Sequence, residues 1–385
     1  LQHAQTTDEQ AMVYESKLFA YMAHDDRPAA LKMGLAALDL LDIHFPLKPN
    51  MLQILGALIK VRLMLQGKSD TSLLNLPLAT DTKSMTIARI IRGMFTVVYT
   101  NAPTLAPLII LKLVELTLKY GYTPMSPFGY IGYGFILNGV LNDTATGSHF
   151  GKLGIELVQR FPSAEAKSYS YVLYGTVLQH WTEDIRSTLV TFKEAYQASL
   201  EVGNYNQAAN ALLIADYHAY SAGHPLEELS ERIKHNSEVL LRLRETSVLN
   251  YEKLYHQVVL NLMGTGNDPC ELKGPVYDAE EMLPSHLKAD ERSIILNVYL
   301  HPMILSYLFG RYKQALEYSA LLDPYLNGGL GAFTSSMNAM YSSLIRIELW
   351  NEASPAQQKA WKKLIAANQK QLKHWAAFAP VNHKH

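Results

Sequence analysis

Apolar residues recur along this chain at helical spacing. Between Asp26 and Ile43, Leu31, Leu35, Leu38 and Asp42 fall at i, i+4, i+7 and i+11, with Pro28 placed where a first helical turn needs no N–H. That pattern predicts an amphipathic helix. The spacing returns at Ile185, Leu189, Phe192, Tyr196 and Leu200, and less regularly at Phe150, Leu153, Leu157 and Phe161. No stretch of comparable length alternates with period 2, so strands are not expected. Gly121, Asn142-Asp143, Gly203-Asn204, Gly223-His224-Pro225, Gly264 and Gly310 each close one apolar run and open the next. Helices of roughly 15 to 20 residues joined by short turns read as stacked αα-hairpins.

A period of about 35 to 42 residues runs from near Thr144 to near Pro225, the scale of a tetratricopeptide (TPR) unit. Gly203, Tyr205 and Ala208, and again Gly310, Tyr312 and Ala315, spell G-x-Y-x-x-A: a turn glycine, a packing aromatic, and a small residue where helices approach. Two segments rich in turn formers, from Gly67 and from Gly264, interrupt the rhythm as long loops or linkers with room for a short helix. The expected organisation is N-terminal helical repeats over 1–66, a loop or linker over 67–84, central TPR-like repeats over 85–263, a second loop or linker over 264–286, and C-terminal repeats over 287–385 that stop mid-array. The fold class expected is all-α, a TPR-like αα-hairpin superhelix or α-solenoid.

Composition narrows the function classes. With 48% hydrophobic and 18% charged residues the chain buries a large core and is not disordered. Its formal net charge of −1 gives no bulk attraction to nucleic acid or to an anionic membrane. The lone cysteine, Cys270, excludes a disulfide framework and a cysteine-based zinc site, and fits a reducing compartment, so the cytoplasm is expected. The apolar run from Thr104 carries Pro107, Lys112 and Glu115 and is shorter than the roughly 20 residues a membrane helix needs. The opening LQHAQTTDEQ has neither an initiator methionine nor the regions of a signal peptide, and the chain is expected to be a piece of a longer protein.

Several segments resemble a known family: the TPR-like helical region that follows the AAA-type, STAND-like ATPase module in large bacterial multidomain signalling proteins. They are Ala30 to Pro49, Leu73 to Asp81, Gln179 to Asn204, Gly310 to Gly328 and Ala353 to His385. In the last, the family's run N-Q-x-x-x-x-x-W-A-x-x-x-P-x-N-x-x-H-K is matched at Asn368, Gln369, Trp375, Ala376, Pro380, Asn382 and Lys384, and VNHKH is one residue shorter than the family's spacing. The resemblance implies a regulatory scaffold whose parents carry a Ser/Thr kinase on one side and a GAF sensor with histidine kinase or cyclase output on the other. It brings no catalytic residues.

Catalytic and cofactor signatures are weak throughout. Gly67-Lys68-Ser69 completes half a phosphate loop, but Arg62 stands where its first glycine belongs, so a helix end followed by a loop is the better reading. The glycines at 129, 132 and 134 follow no strand and are read as close helix packing. No kinase loop, nucleophile elbow or H-E-x-x-H motif occurs, and His218 with His224 and His383 with His385 lack a carboxylate or thiolate at ligand spacing, which leaves them surface or cap roles. Neither a metal nor a cofactor is expected, and this piece is not expected to be an enzyme. His301-Pro302 reads as a structural kink. The lysines at 359, 362, 363, 370 and 373 read as a solvated helix face.

Tyrosine is abundant, 23 in all, and suits both helix packing and the wall of a groove. The candidate recognition residues are Tyr171 and Tyr174, which share a helix face, His180-Trp181 at a hairpin corner, and Tyr217 with Tyr220 in the following repeat. The expected partners are flanking ATPase or kinase domains, a partner protein, a peptide or a small effector; the rival expectation is a small-molecule sensing domain of a STAND-type regulator. Neither nucleic acid nor membrane is an expected partner.

Overall fold

The computed structural model describes residues 7–383 except 25 and 267, and Lys384 and His385 lie outside it. Among the described residues it is all-α, with two isolated backbone bridges, Leu78 with Tyr122 and Lys273 with Asp278, and no strand. The chain forms two compact units divided between Leu173 and Tyr174. The first contains α1 (Thr7–Ala23), α2 (Arg27–Leu40), α3 (Met51–Leu65), α4 (Asp70–Leu74), α5 (Thr82–Asn101), α6 (Ala106–Tyr120), α7 (Ser126–Gly139) and α8 (Thr144–Arg160). The division falls inside α9 (Ala164–Val177). The second contains α10 (Thr188–Glu201), α11 (Tyr205–Ser221), α12 (Leu226–Leu243), α13 (Thr246–Leu262), α14 (Ala279–Lys288), α15 (Arg292–Leu308), α16 (Tyr312–Leu322), α17 (Thr334–Glu348), α18 (Pro355–Phe378) and α19 (Pro380–His383). Neighbours in sequence pack as hairpins, α1 on α2, α7 on α8, α10 on α11, α12 on α13 and α15 on α16, as a helical repeat requires.

The turn signals act where they were expected. Gly121, Asn142, Gly203, Gly223, Gly264 and Gly310 all take positive φ, which ends one helix and redirects the chain. Asn204 then accepts from the Gln207 N–H to start α11, and Ser354 with Gln357 forms a capping box at α18. Gly67 also has a left-handed φ of 75° directly after α3, so the half phosphate loop is a helix terminus.

Some faces differ from the apolar spacing. On α2 the buried residues are Ala30, Gly34, Ala37 and Leu38, whereas Asp42 lies past the helix end and pairs with Lys83 at 2.8 Å. Close approach explains part of the shift: a Cβ on Gly34 would sit 3.0 Å from the Met94 sulfur of α5, so a glycine stands where α2 nears α5, while Leu38 of the expected stripe is buried as well. Of the G-x-Y-x-x-A segments, Ala208 and Ala315 are fully buried, but Tyr205 is 51% exposed. It stands in the first turn of α11, outside the packed face. Tyr312 does pack, its ring 5.6 Å from that of Tyr307.

In the first unit the close-packing reading of the α7 glycines holds. A Cβ at Gly132 would meet Ile110 of α6 at 2.8 Å. The run from Thr104 is α6, which is buried along nearly its whole length, and Lys60 and Lys112 both pair with its Glu115. No helix among the described residues is long and apolar enough to cross a membrane. Segment 67–84 holds α4 and the start of α5. Segment 264–286 is tied down by the Asn261 amide, which donates to the Pro269 and Glu271 carbonyls at 3.1 and 2.6 Å, and it leads into α14.

Candidate functional site: a histidine and aromatic core in the second unit

After α9 the chain makes two tight turns, Gln179–Trp181 and Ile185–Ser187, before α10. Gln179 organises them: its amide nitrogen donates to Glu183 at 2.9 Å and Ser187 at 3.1 Å, and its carbonyl accepts from Thr191 at 2.8 Å. The Tyr174 hydroxyl donates to the other Glu183 oxygen at 3.3 Å. With every polar arm of Gln179 engaged, the corner is rigid enough to turn the next two side chains, His180 and Trp181, inward. Both are essentially inaccessible, at 0% and 1% exposure.

Trp181 meets the end of the chain. Its indole N–H donates to the Gly331 carbonyl at 3.1 Å, its ring lies 4.6 Å from Trp375 of α18, and it stacks on His383 of α19 at 5.7 Å and 13°. Asn382 completes a clasp. Its amide nitrogen donates to the His180 and Glu183 carbonyls, both at 2.7 Å, and its oxygen accepts from the Ile185 N–H at 3.1 Å. Pro380 opens the short α19, and the His383 ring lies 3.0 Å from the Ser336 hydroxyl. The hairpin corner and the C-terminal segment, about two hundred residues apart in sequence, therefore pack as one structure.

Behind Trp181 a string of rings crosses the unit. His180 lies 5.8 Å from Phe333 and 5.5 Å from His218, edge to face in each case. His218 touches Phe192 at 5.2 Å and Tyr217 at 5.4 Å; Tyr217 is 5.2 Å from Tyr255, and Tyr255 is 5.2 Å from His301. Tyr220 covers the other side of His301 at 5.6 Å. Stacking α11, α13 and α15 in series brings these residues onto successive rows.

Burial sets the protonation of this core. It pulls His180 and His301 down to about 3 and His383 to about 4, and it pulls His218 well below its ordinary value, with His180 adding to the effect. Burial likewise raises the hydroxyls of Tyr174, Tyr220 and Tyr255. These are neutral groups at pH 7. Nearby, Glu252 is fully buried and held well above its usual range by burial and by Asp216, whose own carboxylate accepts from Arg232 and, at 2.7 Å, from Asn236. Among the described residues no group of three or more His, Cys, Asp or Glu could hold a metal ion.

The candidate residues divide accordingly. His180, Trp181, Tyr217 and Tyr220 join one ring system, and Tyr174 braces the corner beside it. Tyr171 belongs to the first unit, buried, with the Lys167 ammonium 5.1 Å from its ring. The surface or cap role expected for His218 is corrected. It is 1% exposed and bonded to Thr188 at 2.8 Å, because α11 turns it toward α10. His301 sits on a helix that runs unbroken through Pro302, its ring wholly buried. Sequence spacing gave no reason to join His218, His301, Tyr255 and Phe333 to the candidates. Trp375 and Asn382 carried the family resemblance, and that was the available signal.

No protein-family model matches the chain. It is similar over 198 residues to hybrid signal transduction histidine kinase G of Dictyostelium discoideum, at 24% identity, a stretch that is 51% of this chain and 6% of the kinase. The chain thus has a distant, partial likeness to a signalling histidine kinase of which it spans a small fraction.

Proposed function

We propose that this chain is a non-catalytic regulatory region of a signal-transduction protein of the ATPase and kinase type. It binds a protein segment, peptide or effector and relays that event to an output domain. It acts in the cytoplasm, and its partners are flanking ATPase or kinase domains or a separate protein. The observation that carries this reading is the clasp: Asn382 bonds three backbone groups of the corner at residues 180–185, so any strain at the C-terminal end of the second unit reaches the buried core directly. The distant similarity to a signalling kinase supports it. The test is Asn382→Ala in the full-length parent protein, with the output activity measured at several nucleotide concentrations. A shifted output with intact expression is expected; an output indistinguishable from that of the parent would refute the relay.

A second reading, a small-molecule sensing domain, is favoured by one observation. The candidate aromatic residues face inward, with Trp181 and His180 out of reach of an open groove, and a closed aromatic environment suits a small effector better than a peptide.

A further inference from the structure

In the first unit, α3 is apolar on two opposite faces. Leu58 and Val61 are buried on the side that packs against α6. Half a turn round the helix, Leu52, Ile59 and Leu63 stand in water at 79, 57 and 65% exposure, with Gly56 between them and Met51 and Leu55 beside them, also exposed. Spacing of i, i+4, i+7 and i+11 lines up Leu52, Gly56, Ile59 and Leu63 as one stripe. Contiguous apolar surface of this extent is seldom left uncovered on a soluble protein.

Gly56 is a separate sign that something covers the stripe. Glycine weakens a helix interior, and elsewhere in this unit a helical glycine answers to a close neighbour, as Gly132 does to Ile110. A Cβ on Gly56 would meet nothing within 4 Å among the described residues. The notch it leaves opens outward, in the middle of the exposed stripe.

The order of the stripe says what fits it. Its steps of four, three and four residues read the same in both directions. A second α3 running antiparallel, about a two-fold axis between Ala57 and Leu58, sets Leu52 against Leu63 of the copy and Ile59 over its Gly56, and the same contacts recur across the axis. Large opposes small where the helices cross, as close ridge-into-groove packing requires. The cations of α3 are kept apart in that register. Lys60 stands opposite Leu55 and is paired with Glu115 of its own chain at 2.8 Å, and Arg62 stands opposite Gln53. With Leu47 beyond the helix start, also exposed, the apolar residues of this face present on the order of 600 Å² per copy, so that a pair covers about 1,200 Å², the lower end of the range for stable, specific interfaces.

We propose that α3 is a self-association surface, through which two copies of this chain pair as an antiparallel two-fold dimer with Ile59 seated in the Gly56 notch. Sedimentation of the full chain over a concentration series should show a reversible monomer–dimer equilibrium that stops at the dimer. An isologous contact counts every substitution twice, so Ile59→Glu should raise the dimer dissociation constant at least about 100-fold. Gly56→Phe should do the same by filling the notch, although it makes the face more apolar. Both positions are exposed, and circular dichroism of each variant should match wild type. For the register, a mixture of Leu52→Cys and Leu63→Cys chains should cross-link under mild oxidation, whereas Leu52→Cys alone should not. A wild-type chain that is monomeric up to about 0.1 mM would overturn the proposal and leave the stripe to a different partner. A dimer that survives Ile59→Glu would place the interface elsewhere, and association that grows past the dimer or strengthens in Gly56→Phe would show unspecific stickiness; either result refutes the pairing. The wild-type series and the cysteine mixture decide the matter even if a variant fails to fold.

Discussion

His301 offers a direct test of how the buried core governs stability. Its ring is wholly inaccessible, both nitrogens lack a protein partner, and burial holds it near 3 where an ordinary histidine titrates at 6.5. The folded state therefore binds no proton there at pH 5, whereas the unfolded chain does. A depressed value contributes stability that is fully present above pH 6.5 and is lost as pH falls toward 3. Between pH 7 and pH 5 that loss amounts to about 2 kcal/mol for this one residue, and to a similar amount for His180, with a slope of about 1.4 kcal/mol per pH unit for each. In His301→Leu the titrating group is gone and no hydrogen bond is broken. Urea unfolding of wild type and variant at pH 7.5, 6 and 5 should give curves that converge or cross, the variant gaining about 2 kcal/mol relative to wild type by pH 5. Glu252 cannot mimic this result, because its raised value makes stability fall as pH rises above 4.5, the opposite direction. Equal pH slopes in variant and wild type would show that the ring is not held neutral in the folded state.

Other perturbations reach different parts of the argument. Asn382→Ala removes three hydrogen bonds and should cost about 2 to 3 kcal/mol, with faster hydrogen exchange at the Ile185 amide; unchanged protection there would mean the clasp does not hold the corner. Glu252→Gln keeps a neutral group of the same shape beside Asp216, so the variant should gain on wild type by about 1.4 kcal/mol per pH unit above 4.5 until the wild-type group ionises. Parallel pH curves for the two proteins would place the proton elsewhere. In the first unit, Gly154→Ala would put a methyl 2.6 Å from Ile131 and 2.8 Å from the Pro127 carbonyl, and a loss of about 1 to 3 kcal/mol in thermal unfolding is expected. A melting temperature equal to that of wild type would mean that α7 and α8 can separate without penalty.

The sequence by itself determined the class of fold. Helical spacing, glycines at left-handed turns and small residues at crossings act within a few residues of one another, so the hairpins at Gly203 and Gly310 were legible from local chemistry. The clear failures came where burial depends on a neighbour. The stripe kept Leu38 inside but ended in Asp42, which lies past the helix and pairs with Lys83, while Gly34 faces Met94 of α5; Tyr205 matched a packing pattern yet stands in solvent. Only the tertiary structure decided which polar residues are interior. A histidine on a helix reads the same in sequence whether it faces water or a second ring; His218 and His301 were joined by the stacking of α11, α13 and α15, which no spacing encodes. The clasp is the sharpest case, since Asn382 finds the corner at His180 across most of the second unit, and such a pairing exists only once the chain has folded back on itself.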